Sequence, residues 1–144
     1  MGGLIKSWLA SANGDTDFPV NNLPYGVFSV GDSDLRCGIA LGDRIIDATG
    51  LEAAGHLRAD PDADVLDAPF WNDFMELGPT VWATYRGALT AMLQESAPED
   101  VQDVVMASSV PMQRATLHMP FRVSEYTDFY DGRHHATNVG TKIR

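Results

Sequence analysis

Cysteine and positive charge are the scarce commodities of this chain. Cys37 is the single cysteine in 144 residues, so no disulfide forms within the chain and a reducing compartment suits it. Ten lysines and arginines face 20 aspartates and glutamates, a formal net charge of −10. That balance argues against nucleic acid or an anionic membrane as a partner. Long apolar runs are missing too, and nothing approaches the ~20 residues that cross a bilayer. The stretch around Trp8-Leu9-Ala10 is too short for a signal peptide, with Asn13, Asp15 and Asp17 close behind. Lys6 stands where the myristoylation pattern needs Ser or Thr. A cytoplasmic protein is expected. There is no internal repeat and no low-complexity tract. Gly-x-Ser-x-Gly, paired-cysteine and His-Glu-x-x-His motifs are also absent, which argues against a serine-hydrolase elbow and the common zinc sites. A zinc site from His118, His134, His135 and Cys37 is the rival reading, but adjacent histidines point different ways in either regular structure.

What is present begins with a polar, turn-rich opening, broken at Asn13-Gly14 and Asn21-Asn22. A strand meander follows: residues 25–30, a Gly31-Asp32-Ser33-Asp34 turn, residues 36–41, and residues 44–48. Gly42-Asp43 between the last two is a two-residue hairpin signal, since glycine accepts the positive φ of such turns. Cys37 lies in this alternating apolar run and reads as a buried small hydrophobe rather than a nucleophile.

Helices are predicted next. Pro69 opens one, with Phe70, Trp71, Phe74 and Met75 on a face and Gly78 past its end. A second is expected over residues 80–96, where Val81, Trp82, Tyr85, Ala88, Leu89, Met92 and Leu93 keep a helical period, and Pro98 ends it. Residues 60–67, with four Asp and a Pro, read as a solvated loop. They lack the Gly and terminal Glu of an EF-hand. After Asp103 the pattern returns to strand at Val104-Val105-Met106 and again over residues 114–119. The fold class is therefore α+β, mainly β with added helices.

Chemistry concentrates at the end: Tyr126-Thr127-Asp128-Phe129-Tyr130, then Arg133-His134-His135-Ala136-Thr137-Asn138-Val139-Gly140, closing on Arg144. Residues 111–144 carry Arg114, Arg122, Arg133, Lys142 and Arg144 against Glu125, Asp128 and Asp131, a balance of +2 on an acidic chain. A locally basic end suits a small anionic ligand, and equally suits ordinary scatter of charge. Period-2 alternation puts Tyr126, Asp128 and Tyr130 on one face, where an acid needs a cation or donors. Taken alone, Asp128 reads as a turn or capping residue, Tyr130 as a half-buried strand tyrosine, His135 as a surface histidine and Arg144 as a solvated terminus.

These motifs resemble the start of the catalytic domain of the fumarylacetoacetase family. Leu23-Pro24-Tyr25-Gly26-Val27-Phe28, Gly38-Ile39-Ala40 with Ile45-Ile46-Asp47, and Asn72-Asp73-Phe74-Met75 extend the likeness over nearly the whole chain. The resemblance implies an SH3-like small β-barrel with added helices over residues 1–115. The start of a β-roll catalytic domain, cut short, would follow over residues 116–144. It further implies that His135 is the base that activates water and that Asp128 is a ligand for Ca²⁺ or Mg²⁺. Tyr130 and Arg144 would bind a small anionic diketo-acid substrate. A homodimeric parent enzyme in tyrosine breakdown is expected. In that family the other metal carboxylates, a glutamate that orients the histidine, and Lys and Gln groups lie beyond Arg144. The isolated chain is then incomplete, since Ca²⁺ wants six to eight oxygens and an unoriented histidine is a poor base. A non-catalytic SH3-like module and a related hydrolase of another diketo acid stay open as alternatives.

Overall fold

The computed structural model describes residues 3–125. Strands β1 (Tyr25–Val30), β2 (Arg36–Leu41) and β3 (Arg44–Asp47) form an antiparallel meander. Leu41 pairs with Arg44, so only Gly42 and Asp43 connect β2 to β3. Gly42 takes φ +54, the left-handed backbone such a loop demands. β1 and β2 run as the sequence predicts. β3 stops at Asp47 because that residue caps α1 (Ala48–Ala53). Its Oδ1 accepts from the Gly50 N–H at 2.9 Å. Its Oδ2 accepts from Arg36 Nε and Nη2, each at 2.7 Å. One carboxylate thus ends a strand, starts a helix and ties both to β2.

Two short strands flank the meander. β4 (Ser109–Pro111) pairs with β3, β5 (Ala115–His118) pairs with β1, and the order is β4-β3-β2-β1-β5. Among the described residues no ladder joins β4 to β5, so the sheet is open, not a closed barrel. It is not flat either. Four strand spacings of about 4.8 Å would put the edges roughly 19 Å apart in a flat sheet. Only the 3-10 turn Met112–Arg114 links them, and four residue steps reach at most about 14 Å. The connection forces the sheet to curl its edges toward each other.

Besides α1, which the sequence did not announce, the helices differ from the sequence expectation in three places. α2 (Asn72–Glu76) starts three residues after Pro69, because Trp71 is held elsewhere, its indole Nε1 donating to Gly26 O at 2.7 Å. α3 (Pro79–Leu93) ends before residue 96, and Gly78 at φ +86 separates it from α2. Its last carbonyls are met from the opening segment: Ser7 Oγ donates to Leu93 O at 2.7 Å and Trp8 Nε1 to Met92 O at 2.9 Å. Pro98 does not end α3, which stops at Leu93. It precedes α4 (Glu99–Ala107), whose first-turn Glu99 and Asp100 favour the helix N-terminus. Val104-Val105-Met106 therefore lies in a helix, not in the expected strand. Helices hold more residues than strands, which makes the fold mixed α/β rather than mainly β.

The core joins Val27, Ile39 and Ile46 of the sheet to Leu51 of α1, Phe74 of α2, Tyr85, Leu89 and Leu93 of α3, and Val105 of α4. On α3 the buried stripe is narrower than predicted, and Trp82 and Ala88 are exposed. The stripe follows i, i+4, i+8 through Tyr85, Leu89 and Leu93, leaving those two at its flank. The aspartates of residues 60–67 face solvent to varying degrees as expected, but Val65 and Leu66 turn inward.

Candidate functional site

Asp128, Tyr130, His135 and Arg144 all lie outside the described residues, so the structure neither joins nor separates them. It does describe the segment that leads to them. After β5 the chain crosses α2, where the Trp71 N–H donates to Pro120 O at 3.0 Å. Asn72 then holds the backbone of Arg122 from both sides. Its Nδ2 donates to Arg122 O at 3.0 Å and its Oδ1 accepts from the Arg122 N–H at 2.8 Å. The side-chain amide imitates the peptide group of a neighbouring strand. The Arg122 guanidinium lies 4.8 Å from the centre of the Phe70 ring, a cation–π contact.

Beside this crossing opens a cleft of about 600 Å³, lined among others by Tyr25, Trp71, Phe74, Trp82, Arg86 and Phe121. Its floor is an aromatic cluster. Tyr25 stacks on Trp71 with ring centres 4.6 Å apart, and Phe74 meets Trp71 and Tyr85 edge-on at 5.2 and 4.9 Å. Trp82 Nε1 donates to Phe74 O at 3.0 Å, which fixes the exposed indole at the rim. Arg86 donates to Leu23 O and Asn21 O, each at 3.3 Å. Burial pushes the Tyr25 phenol up, and the Arg86 guanidinium beside it opposes that shift. The lining suits a flat apolar group with one cation at the edge, and offers no nucleophile and no acid–base pair.

Cys37 is buried, and desolvation pushes its thiol up to about 12, so it is the packed hydrophobe the sequence predicts. His118 is exposed, with Nε2 2.8 Å from Ser29 Oγ. Among the described residues no group of three His, Cys, Asp or Glu side chains could hold a metal ion. The one proposed cation ligand, Asp128, falls outside the described residues.

Sequence reasoning gave no functional role to Asn72 or Arg86, and read Trp82 as part of a buried helix face. The signal lay in two matched stretches, residues 23–28 and 72–75. Leu23 and Tyr25 from the first and Phe74 and Met75 from the second line the same cleft.

An open antiparallel sheet backed by helices makes this a mixed α/β fold. Residues 21–120 match the family model for the fumarylacetoacetase N-terminal domain, and the chain belongs to that family. It is 41% identical over 137 residues to the fumarylacetoacetases of Bos taurus and Homo sapiens, covering 90% of this chain and 32% of each relative. The Caenorhabditis elegans fumarylacetoacetase is 37% identical over 146 residues, covering 97% of this chain and 34% of that relative. The chain thus spans about a third of the length of the curated relatives it matches. No helix among the described residues is long and apolar enough to cross a membrane.

Proposed function

We propose that this chain is the N-terminal portion of a fumarylacetoacetase, which hydrolyses a carbon–carbon bond of 4-fumarylacetoacetate to give fumarate and acetoacetate in tyrosine and phenylalanine catabolism. The observation that carries this reading is the 41% identity to relatives of that name along 90% of the chain. In this reading His135 takes a proton from water so that hydroxide attacks the substrate carbonyl, a task suited to a group titrating near neutrality. Arg144 holds a substrate carboxylate in its planar fork, and Tyr130 contacts the same molecule. Asp128 is one ligand of a Ca²⁺ or Mg²⁺ ion that supplies Lewis-acid chemistry when bound. The other ligands and the group orienting His135 belong to sequence outside this chain, so the 144 residues alone are inactive. The parent is a cytoplasmic homodimer.

Residues 1–115 are proposed as an SH3-like barrel domain and residues 116–144 as the start of the catalytic domain. The three-residue link between opposite sheet edges supports the first part, since it curls the sheet toward closure. A second reading, an SH3-like interaction module without catalysis, is favoured by the preorganised aromatic cleft around Trp82. The full-length protein and the 144-residue chain should be assayed for fumarate release from fumarylacetoacetate. Turnover by the former alone is expected. A folded full-length protein with no turnover would overturn the enzyme reading.

A further inference from the structure

We propose that the cleft beside Phe121 is a binding site for a small, flat aromatic carboxylate, its rings against Trp82 and the Tyr25–Trp71 stack and its anionic end on Arg86. The site is built from described residues only and is independent of the catalytic reading. Its volume of about 600 Å³ lies in the range of small-molecule sites. Tyr25, Trp71, Phe74, Trp82 and Phe121 line it, and Arg86 is the single charged residue in the lining.

That cation is not used by the acids of the fold. Among the described residues the ion pairs are Arg36–Asp47 and Arg58–Asp64, and Arg86 belongs to neither. This is so on a chain with 20 acidic side chains against 10 basic ones. Leu23 O and Asn21 O accept from its Nη1 and Nη2, each at 3.3 Å, which holds the planar fork at the edge of the cleft. A guanidinium carries more N–H donors than these two contacts use, and a carboxylate matches a fork of such donors. The Tyr25 phenol lies beside the same guanidinium and, kept protonated by burial, offers an O–H donor as well.

The walls decide the rest of the ligand. Trp82 is exposed yet fixed by its bond to Phe74 O, and Tyr25 is held in its stack on Trp71. Aromatic surfaces already set in place cost little further ordering when a ligand arrives. Contact between rings adds to what area burial alone contributes, so an arene is preferred over an alkyl chain of similar size.

The probe is naphthoate, titrated into the 144-residue chain and followed by the indole N–H signals in proton–nitrogen correlation spectra. Trp71 and Trp82 line the cleft, whereas Trp8 donates to Met92 O away from it and serves as the internal control. The Trp71 and Trp82 signals should shift together with half-saturation at about 0.1–1 mM, and Trp8 should stay still. Neutral naphthamide should bind about tenfold more weakly, and octanoate about three- to tenfold more weakly. Arg86→Met should weaken naphthoate to the level of the amide, with Arg86→Lys in between. If Arg86→Met does not fold, the amide comparison in the unaltered chain decides whether charge is read. No saturable shift below about 5 mM, amide or octanoate binding as tightly as naphthoate, or equal movement of Trp8 overturns the inference. So does movement of Trp71 and Trp82 on raising protein concentration alone, which would assign the cleft to a second copy of the chain.

Discussion

Glu52 on α1 accepts a hydrogen bond from the backbone N–H of Leu66 at 2.7 Å, through the same Oε1 that accepts from Val65 at 2.9 Å. A 1% exposed carboxylate thereby pins the inward turn of an otherwise solvated, aspartate-rich loop. Its Oε2 is buried with no hydrogen-bond partner. Burial pushes the Glu52 carboxyl above the ordinary value of 4.5, and the two backbone amides oppose that shift without cancelling it. Asp64 pushes the same way as burial and Arg58 the other way, both more weakly.

A pH dependence with an unusual sign follows for a carboxylate. With the folded-state pKa above the unfolded one, the stability contributed by Glu52 is complete below about pH 4.5 and is lost as pH rises through the raised value. Glu52→Gln removes that titration and keeps an oxygen for the two amides. Urea unfolding should therefore show the stability of Glu52→Gln improving relative to the unaltered chain between about pH 4.5 and neutrality. A difference that is flat across this window would mean that burial does not perturb Glu52. Glu52→Ala strands both amides and should cost about 2–4 kcal/mol.

Gly38 and Gly26 face each other across β2 and β1, yet their substitution should differ. A Cβ on Gly38 would come 2.6 Å from Phe28 Cδ1 and 2.7 Å from Ile45 Cγ2, both packed side chains. A Cβ on Gly26 meets nothing within 4 Å. Gly38→Ala should lose about 1–3 kcal/mol by overpacking, and Gly26→Ala should stay within about 0.5 kcal/mol. Equal losses in denaturant titrations would mean that backbone freedom, not packing, decides both sites.

The meander was legible because the turn signals Gly31-Asp32-Ser33-Asp34 and Gly42-Asp43 separate its short apolar runs. α4 was not, because a reading that begins after Asp103 meets three apolar residues in a row, which no period resolves. Read from Pro98, the same stretch shows acidic residues in a first turn and then Val101, Val104 and Val105 at helical spacing. α1 spans six residues, too few for a period, and only Asp47 as a cap could have announced it. The cleft was half visible, since its lining comes from two stretches singled out for other reasons and brought together only by folding. The roles of Asp128, Tyr130, His135 and Arg144 rest on the resemblance, because the described residues stop at 125.

Cys37 should be chemically silent in the folded chain. Its thiol is buried and pushed up to about 12, so the thiolate that attacks labelling reagents is scarce near neutral pH. A chromogenic disulfide reagent at about pH 8 should react roughly a thousandfold more slowly than with the urea-unfolded chain. Comparable rates in the two states would show that the β2 interior opens freely, and would contradict the core built around Val27, Ile39 and Leu51.

The proposed roles of His135 and Asp128 can be separated in the full-length protein, since one is read as a base and the other as a ligand. Removing a general base costs about two to four orders of magnitude in turnover, and His135→Ala should fall in that range. It should leave bound cation, measured by atomic emission, unchanged, because imidazole is not the oxygen donor that Ca²⁺ or Mg²⁺ selects. Asp128→Ala should lower cation content and turnover together. Near-normal turnover in His135→Ala would assign the base elsewhere. Cation loss in His135→Ala with full retention in Asp128→Ala would exchange the two roles and leave family membership, which rests on residues 21–120, untouched.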